Sequence, residues 1–342
     1  MKIAILNDTH FGARNDSSVF LNYFFKFFDE VFFPYIEENE ITTILHLGDL
    51  MDRRKYVNFN TLTQVNTRFF DKLDKLGVDL HMLLGNHDTF YRNTNEVNSP
   101  KQLFSHYKSF HLYEECKLLN FDGLSIGMVP WICTQNKDSV LDFIKNTTCP
   151  ILCGHFELNN YEVLRGVKFA GGMDDSFLGR FEQVLSGHFH NKSENKNVKY
   201  LGTQYEITFS DMNDMKGFHV LDTTTRELIF IENPDRMFYS INPEDDILDY
   251  SVFNNKYVKL IVTSDCKRVN VDQKIKKIEQ ENPYEFTIIE DISLDQKEKD
   301  PVDLSKDTLT IINEEIDSLE IDINTSVLKK LANEIYLEAL DQ

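Results

Sequence analysis

Cysteine is scarce in this 342-residue sequence, with five residues at 116, 133, 149, 153 and 266. An odd count at that density excludes a disulfide scaffold and predicts reduced thiols in a cytoplasmic protein. The Cys149–Cys153 spacing is not that of a zinc ribbon, and no second pair follows it. No uncharged apolar run approaches the roughly 18–20 residues of a membrane span, so no membrane association is expected. Met1-Lys2 leads directly into a strand-like run, which is not the pattern of a secretory leader. Internal repeats and low-complexity tracts are absent. Basic residues are outnumbered, 36 Lys and Arg against 56 Asp and Glu, for a net charge of −20. That balance argues against a polyanion binder held by charge alone. It leaves room for a nucleic-acid enzyme whose missing positive charge comes from bound metal or a partner subunit.

A hydrophobic fraction of 41% supports a large core, and the length allows two or three domains. The acidity is concentrated at the end: residues 281–342 hold 17 acids and 5 bases. The first 240 residues alternate short β-rich runs with helical stretches, the pattern of a layered α/β domain. Strands are expected at Lys2–Leu6, Thr43–Leu47, Asp79–Leu84, Leu124–Pro130, Pro150–Cys153, Gln183–Leu185, Val198–Leu201, Gly217–Asp222 and Glu227–Glu232. Helices are expected over about 18–38, 60–76 (with Gly77 after its last turn) and 140–145. Beyond Pro243 a strand at Tyr257–Thr263, a helix at Asp272–Glu281 and a strand at Glu285–Glu290 suggest a small α+β unit. A charged linker then leads, from Asp291 to Asp307, into a helical tail over Thr308–Leu340. In that tail Leu328, Leu331 and Ile335 form an apolar stripe too short to bury itself. The organisation expected is therefore 1–240, 241–300 and 301–342.

Five of these strands run out into metal-binding residue types. Lys2–Leu6 leads to Asp8-Thr9-His10, and Thr43–Leu47 to Gly48-Asp49. Asp79–Leu84 leads to Gly85-Asn86-His87-Asp88, Pro150–Cys153 to Gly154-His155, and Gln183–Leu185 to Gly187-His188-Phe189-His190. Ligands in α/β sheets gather beyond the carboxyl ends of strands, so all five deliver polar groups to one edge. Aspartate, asparagine and histidine without cysteine suit Mn²⁺, Mg²⁺, Fe or Zn. Asp8, His10, Asp49, Asn86, His155, His188 and His190 make seven ligands. That is too many for one cation and suited to two that share a carboxylate about 3.5–4 Å apart, an arrangement fit for phosphoester hydrolysis. Taken singly, each motif has a bland reading: Gly-Asn-His-Asp as a turn, His-x-His as structural. Their joint occurrence at five strand ends is what carries the inference.

Asp8-Thr9-His10-Phe11-Gly12, Gly48-Asp49-Leu50-Met51-Asp52, Gly85-Asn86-His87-Asp88, Pro130-Trp131, Gly154-His155-Phe156-Glu157-Leu158, Gly187-His188-Phe189-His190 and Tyr200-Leu201-Gly202-Thr203 together resemble the calcineurin-like metallophosphoesterase superfamily. Within it they are most similar to the SbcD-type nuclease subunits of DNA double-strand-break repair, including the bacteriophage recombination-endonuclease form. The resemblance covers about residues 1–235. It implies a four-layer β-sandwich flanked by helices, with a small α+β capping domain and a C-terminal helical tail. It also implies one metal on Asp8, His10, Asp49 and His190, and a second on Asp49, Asn86, His155 and His188, with Mn²⁺ expected and Mg²⁺ as the alternative. His87 would face the scissile phosphate and help protonate the leaving oxygen, with Asp88 orienting it. The implied activity is exonucleolytic on duplex ends and endonucleolytic on single strands. The implied partners are DNA, a second copy of the chain (through helix 60–76) and an SMC-like ATPase of the SbcC type, docked on the acidic tail. The implied setting is a bacterial cytoplasm or a phage-infected host cell. Two departures stand out: Asp52 where some relatives carry a histidine near the second metal, and Thr203 in place of a commoner serine.

Other features are read as structural. The Phe-rich stretch 20–33 is apolar on more than one face, as a buried core helix is. His46, His81, His106, His111 and His219 fit no ligand spacing, and Arg53-Arg54-Lys55 reads equally as a phosphate contact or a solvated loop. Gly-Asp-x-x-Asp-Arg at 48–53 is also found in protein phosphatases, which keeps a stand-alone metallophosphatase in view. A non-catalytic scaffold for an ATPase is the third reading, and the complete ligand set speaks against it.

Overall fold

The computed structural model describes residues 1–164, 166–264 and 266–291, and beyond these only residues 316, 325 and 328–332, which are helical. The linker expected from Asp291 and most of the tail expected to Leu340 lie outside the described residues. Met1–Val262 with Cys266–Ile289 form one compact unit; a second, Thr263–Asp265 with Glu290–Gln342, is described only in part.

Two six-stranded sheets dominate the first unit. In the first, β1 (Lys2–Leu6), β2 (Thr43–His46), β3 (Asp79–Leu83) and β4 (Phe110–Tyr113) are parallel. The second has β5 (Lys117–Phe121) antiparallel at one edge of β6 (Leu124–Val129), then β7 (Ile151–Gly154), and a β8–β9 hairpin (Glu162–Leu164, Val167–Lys168) lies outside it. β10 (Gln183–Ser186), β11 (Ser193–Asn195) and β12 (Val198–Tyr200) complete the second sheet in the order β11-β12-β10-β7-β6-β5. β13 (Gly217–Asp222) and β14 (Leu228–Glu232) return to the first sheet, where β13 runs antiparallel to β1.

Alternation along each strand assigns its two faces. Ile3 and Ile5 of β1 join Leu45, Ile126, Ile151 and Leu185 in the core between the sheets. Ala4 and Leu6 turn the other way, into a core shared with two long helices. Both faces of these strands are covered, which is why they read as continuous apolar runs. Helix α1 (residues 18–38) and helix α2 (residues 59–76) cover the first sheet; α3 (Ser99–Phe104) follows, and α4 (Lys137–Asn146) packs on the second sheet. The result is the four-layer sandwich flanked by helices.

Both long helices contain a π-turn, at Phe28–Phe32 and at Asn66–Phe70. The N–H of Phe33 donates to Phe28, and that of Asp71 to Asn66. Each turn admits one extra residue and rotates the following side chains by about 100°. Helix α1 is buried on more than one face, as its sequence suggested: Phe20, Phe24, Phe25, Phe27, Phe28, Phe32 and Phe33 are all buried, and Phe28 meets Phe69 of α2 at 5.1 Å between ring centroids. Asn58 caps α2 by accepting from Asn60 and Thr61, and Gly77 ends it in the left-handed region.

A three-stranded sheet follows, β15 (Phe238–Ile241), β16 (Tyr257–Thr263) and β17 (Glu285–Asp291), with helix α5 (Arg268–Gln280) between the last two. It supplies the small α+β element and draws its first strand from residue 238. No helix among the described residues is long and apolar enough to cross a membrane.

Candidate metal centre

The carboxyl ends of β1, β2, β3, β7 and β10 all point to one edge of the sandwich, and the five loops that follow meet there. The first two loops are zipped together: Asp8 donates its N–H to Gly48 O at 2.9 Å, and His10 its N–H to Asp49 O at 3.1 Å. The turns are tight. Asp8, His10, Asp49 and His188 all have positive φ, at 48°, 43°, 57° and 88°. Four such non-glycine residues in one site are a concentration of backbone strain that only a surrounding framework maintains. Gly85 is required by close approach, because a Cβ there would lie 2.2 Å from Asp49 Oδ1.

All seven expected ligands converge. Asp8, His10 and His190 form one cluster, and Asp49, His155 and His188 another. In the first, His10 Nε2 lies 3.2 Å from His190 Nε2 and 3.8 Å from Asp8 Oδ1. In the second, Asn86 Oδ1 is 2.9 Å from both His155 Nε2 and His188 Nδ1. Asp49 Oδ2 stands between the clusters, 3.7 Å from His10 Nε2 and 3.4 Å from His155 Nε2. Donor atoms around one cation with bonds of about 2.1 Å are separated by about 3–4 Å, so both clusters fit a divalent metal. The nitrogen and oxygen donors fit a hard or borderline one.

Three of the four imidazoles face a partner on their other nitrogen, as ligating histidines do. His155 Nδ1 faces the Leu47 carbonyl at 2.7 Å. His10 Nδ1 faces Asp52 Oδ1 at 3.4 Å, and His188 Nε2 faces Glu157 Oε1 at 3.5 Å. The sequence motifs contain Asp52 and Glu157 but do not reveal these roles. The hint is only their nearness to a ligand, three residues after Asp49 and two after His155. Asp52 belongs beside the first cluster, where the resemblance suggested proximity to the second metal.

His87 is half-buried, 4.8 Å from His10 between ring centroids, and its Nδ1 lies 2.5 Å from the Asp52 carbonyl oxygen. Nδ1 therefore donates, and Nε2 is left for chemistry. Asp88 is placed differently from the expectation that it orients His87. Its buried carboxylate accepts the backbone N–H groups of Asp49 (2.8 Å), Leu50 (2.9 Å) and Gly85 (2.8 Å). It ties the second ligand loop to the third and acts on the site through them.

The electrostatics are those of a site that wants cations. Burial alone would lower His10, but the Asp52 hydrogen bond and the charges of Asp49, Asp52 and Asp8 raise it to about 9. Burial likewise opposes His155, and the Asp49 charge and hydrogen bond carry it to about 9. Burial and the Asp49 charge push Asp88 up to about 7. Burial keeps His87 below its ordinary value, so its ring is neutral at neutral pH. Protons on His10 and His155 thus stand where metal charge would.

The histidines read as structural stay outside the centre. His46 is buried against Thr9 at 3.1 Å, His81 stacks on His111 at 4.7 Å, His106 packs on Tyr107 and His219 on Phe230. Arg53 pairs with Asp16 at 3.3 Å and lies over Tyr56.

This geometry agrees with the family comparison: residues 1–199 match the calcineurin-like phosphoesterase family. The chain belongs to that family. A curated relative, exonuclease subunit 1 of Enterobacteria phage T4, is 32% identical over 346 residues, covering 99% of each chain. This calcineurin-like phosphoesterase is also similar to a solved archaeal phosphodiesterase, at 13% identity and a TM-score of 0.34, over 68% of this chain and 100% of that one. A protein of unknown function from Aquifex aeolicus matches at 18% identity and a TM-score of 0.28, over 45% of this chain and 77% of its own.

Proposed function

We propose that this phosphoesterase is the two-metal DNA nuclease subunit of an ATPase-coupled recombination or repair complex, cutting duplex ends exonucleolytically and single strands endonucleolytically. The observation that carries this reading is the assembly of both ligand clusters, with His87 beside them, in a chain related along its whole length to a phage exonuclease subunit. Asp8, His10, Asp49 and His190 would hold one cation, and Asp49, Asn86, His155 and His188 the other. When bound, such a pair makes water a stronger nucleophile and neutralises charge on the phosphodiester. Mn²⁺ is the proposed metal, with Mg²⁺ the alternative.

The chain's own residues do the rest. Asp49 spans the two clusters and fixes their separation. Asp52 holds His87 by its backbone, so that ring meets the phosphate in one orientation. As water oxygen bonds to phosphorus, the bond from phosphorus to the leaving oxygen breaks; His87 Nε2, unprotonated while Nδ1 donates to the Asp52 carbonyl, takes the proton that the attacking water loses and passes it to the leaving oxygen. Asp88 acts as a positioning residue for the Asp49 and Gly85 loops. The small β15–β16–β17 sheet with α5 is proposed as the DNA-facing cap of residues 241–300. The acidic tail of residues 301–342 is proposed as the dock for the ATPase, and α2 as the contact with a second copy.

The test is Mn²⁺-dependent nucleotide release from end-labelled linear duplex DNA by the full chain, beside His87→Ala. Release that the variant loses while retaining metal supports the reading. Rapid hydrolysis of small phosphomonoesters without DNA cleavage would instead indicate a stand-alone phosphatase.

A further inference from the structure

A cavity of about 420 Å³ opens beside the second ligand cluster. His155 forms part of its wall, and Trp131, Arg92, Lys137, Glu157 and Met173 line the rest. The Trp131 ring centroid lies 5.4 Å from that of His188 and 6.0 Å from that of His155, so an aromatic face adjoins two of the ligands. The backbone of Trp131 is fixed on three sides: its N–H donates to Leu84 O at 2.7 Å, and its carbonyl accepts from Asn95 at 2.9 Å and Asn136 at 3.0 Å. That clamp fixes the Cα from which the ring projects. Glu157 is turned to His188, which leaves Asp138 as the other acid on the wall. Neither Arg92 nor Lys137 has an ion pair among the described residues.

An aromatic platform, two free cations and a cavity at the low end of the roughly 300–1,000 Å³ typical of small-molecule sites describe the chemistry of a nucleotide. A base has a π-face that stacks on an indole whatever its identity, and its phosphates suit arginine and lysine. We propose that this cavity is the base-binding subsite for the nucleotide attached to the scissile phosphate, stacked on Trp131 with an adjacent phosphate on Arg92 or Lys137. The inference rests on the nuclease reading and extends it. A base lodged there is unpaired, so a duplex end must open by a base pair before it is cut.

Trp131 is the sole tryptophan of the chain, so emission excited selectively from tryptophan, beyond the absorption of the 14 tyrosines, reports on this cavity. The full chain is titrated with deoxyadenosine 5′-monophosphate and, separately, with 2-deoxyribose 5-phosphate, which keeps the phosphate and lacks the base. Saturable quenching by the nucleotide, at an affinity about 5- to 100-fold above that of the sugar phosphate, is expected. Equal affinity and equal spectral response would overturn the subsite. In parallel, nucleotide release is measured from blunt duplex and from duplex with a mismatched terminal pair, for the wild-type chain, Trp131→Phe and Trp131→Ala. Faster release from the mismatched end, loss of about 5- to 100-fold in Trp131→Ala and substantial rescue in Trp131→Phe are expected. Wild-type release unaffected by either substitution would overturn the subsite while leaving the nuclease reading intact. Absence of release from every DNA by the wild-type chain would overturn cleavage without the ATPase partner, and the titration would then decide the subsite by itself.

Discussion

The carbonyl oxygen of Asp52 stands 2.5 Å from Nδ1 of His87, while the carboxylate of the same residue faces His10 Nδ1 at 3.4 Å. One residue therefore orients two rings by different groups, and substitution separates them. Asp52→Ala removes the carboxylate and keeps the carbonyl. Partners of this kind change metal affinity by about 10–100-fold. Mn²⁺ affinity, read by calorimetry, should fall by that amount at one of two sites. An unchanged two-site isotherm would contradict the role.

Asp88→Ala leaves three buried N–H groups, of Asp49, Leu50 and Gly85, without their acceptor. The expected loss of stability is about 2–4 kcal/mol, measured by urea unfolding of the metal-free chain. Asp88→Asn should recover only part of it, since its amide nitrogen cannot accept.

Gly85→Ala places a methyl group 2.2 Å from Asp49 Oδ1. Gly85 does not occupy the left-handed region, but the same methyl would lie 2.5 Å from the backbone nitrogen of Asp49, so the second ligand loop must shift together with its carboxylate. Metal binding should be lost, with a fall in the thermal midpoint of the metal-free chain.

The metal-free chain should be most stable near pH 6.5. His46, held neutral by burial at about 3, has a depressed folded value; its contribution is present above pH 6.5 and is lost as pH falls toward 3. His10 and His155, raised to about 9, contribute fully below pH 6.5 and lose that contribution as pH rises through 9. Thermal unfolding against pH should show both limbs, with His46→Gln reducing the acid one, which His219 (lowered by burial to about 3) and His190 (lowered by burial to about 4) share. Metals bind the deprotonated rings, so Mn²⁺ affinity should rise between pH 6 and 9. Calorimetry in buffers of different ionisation enthalpy should show protons released on binding.

Much of the centre was legible because each ligand follows its strand almost immediately, so that apolar periodicity and ligand chemistry lie side by side in the chain. The core strands were legible for the same reason, as were Asn58 and Gly77 at the ends of α2 only in part: the glycine was anticipated and the cap was not. The edge strands Phe110–Tyr113, Lys117–Phe121 and Ser193–Asn195 were missed, because half-exposed edges carry no clean alternation. The π-turns were invisible, since an extra residue in a helix leaves no composition signal. The partners of His10, His87 and His188 were hidden for a different reason. They depend on which way a loop residue turns its carbonyl or carboxylate, and only the assembled loops decide that.

Asp8, His10, Asp49, Asn86 and His87 ride on the first sheet, whereas His155, His188 and His190 ride on the second. Neither sheet alone supplies the full ligand set proposed for either cation, so the distance between them is itself a chemical variable. Gly187 meets Leu47 O and Asp8 across this divide, where an added Cβ would come within 2.8 Å of each. Sliding the two sheets by an ångström would detune both cages without melting a strand. Trimming Ile5 or Leu185 in the shared interior could thus silence the protein while it stays folded, and the bound cations would act as rivets between the two halves.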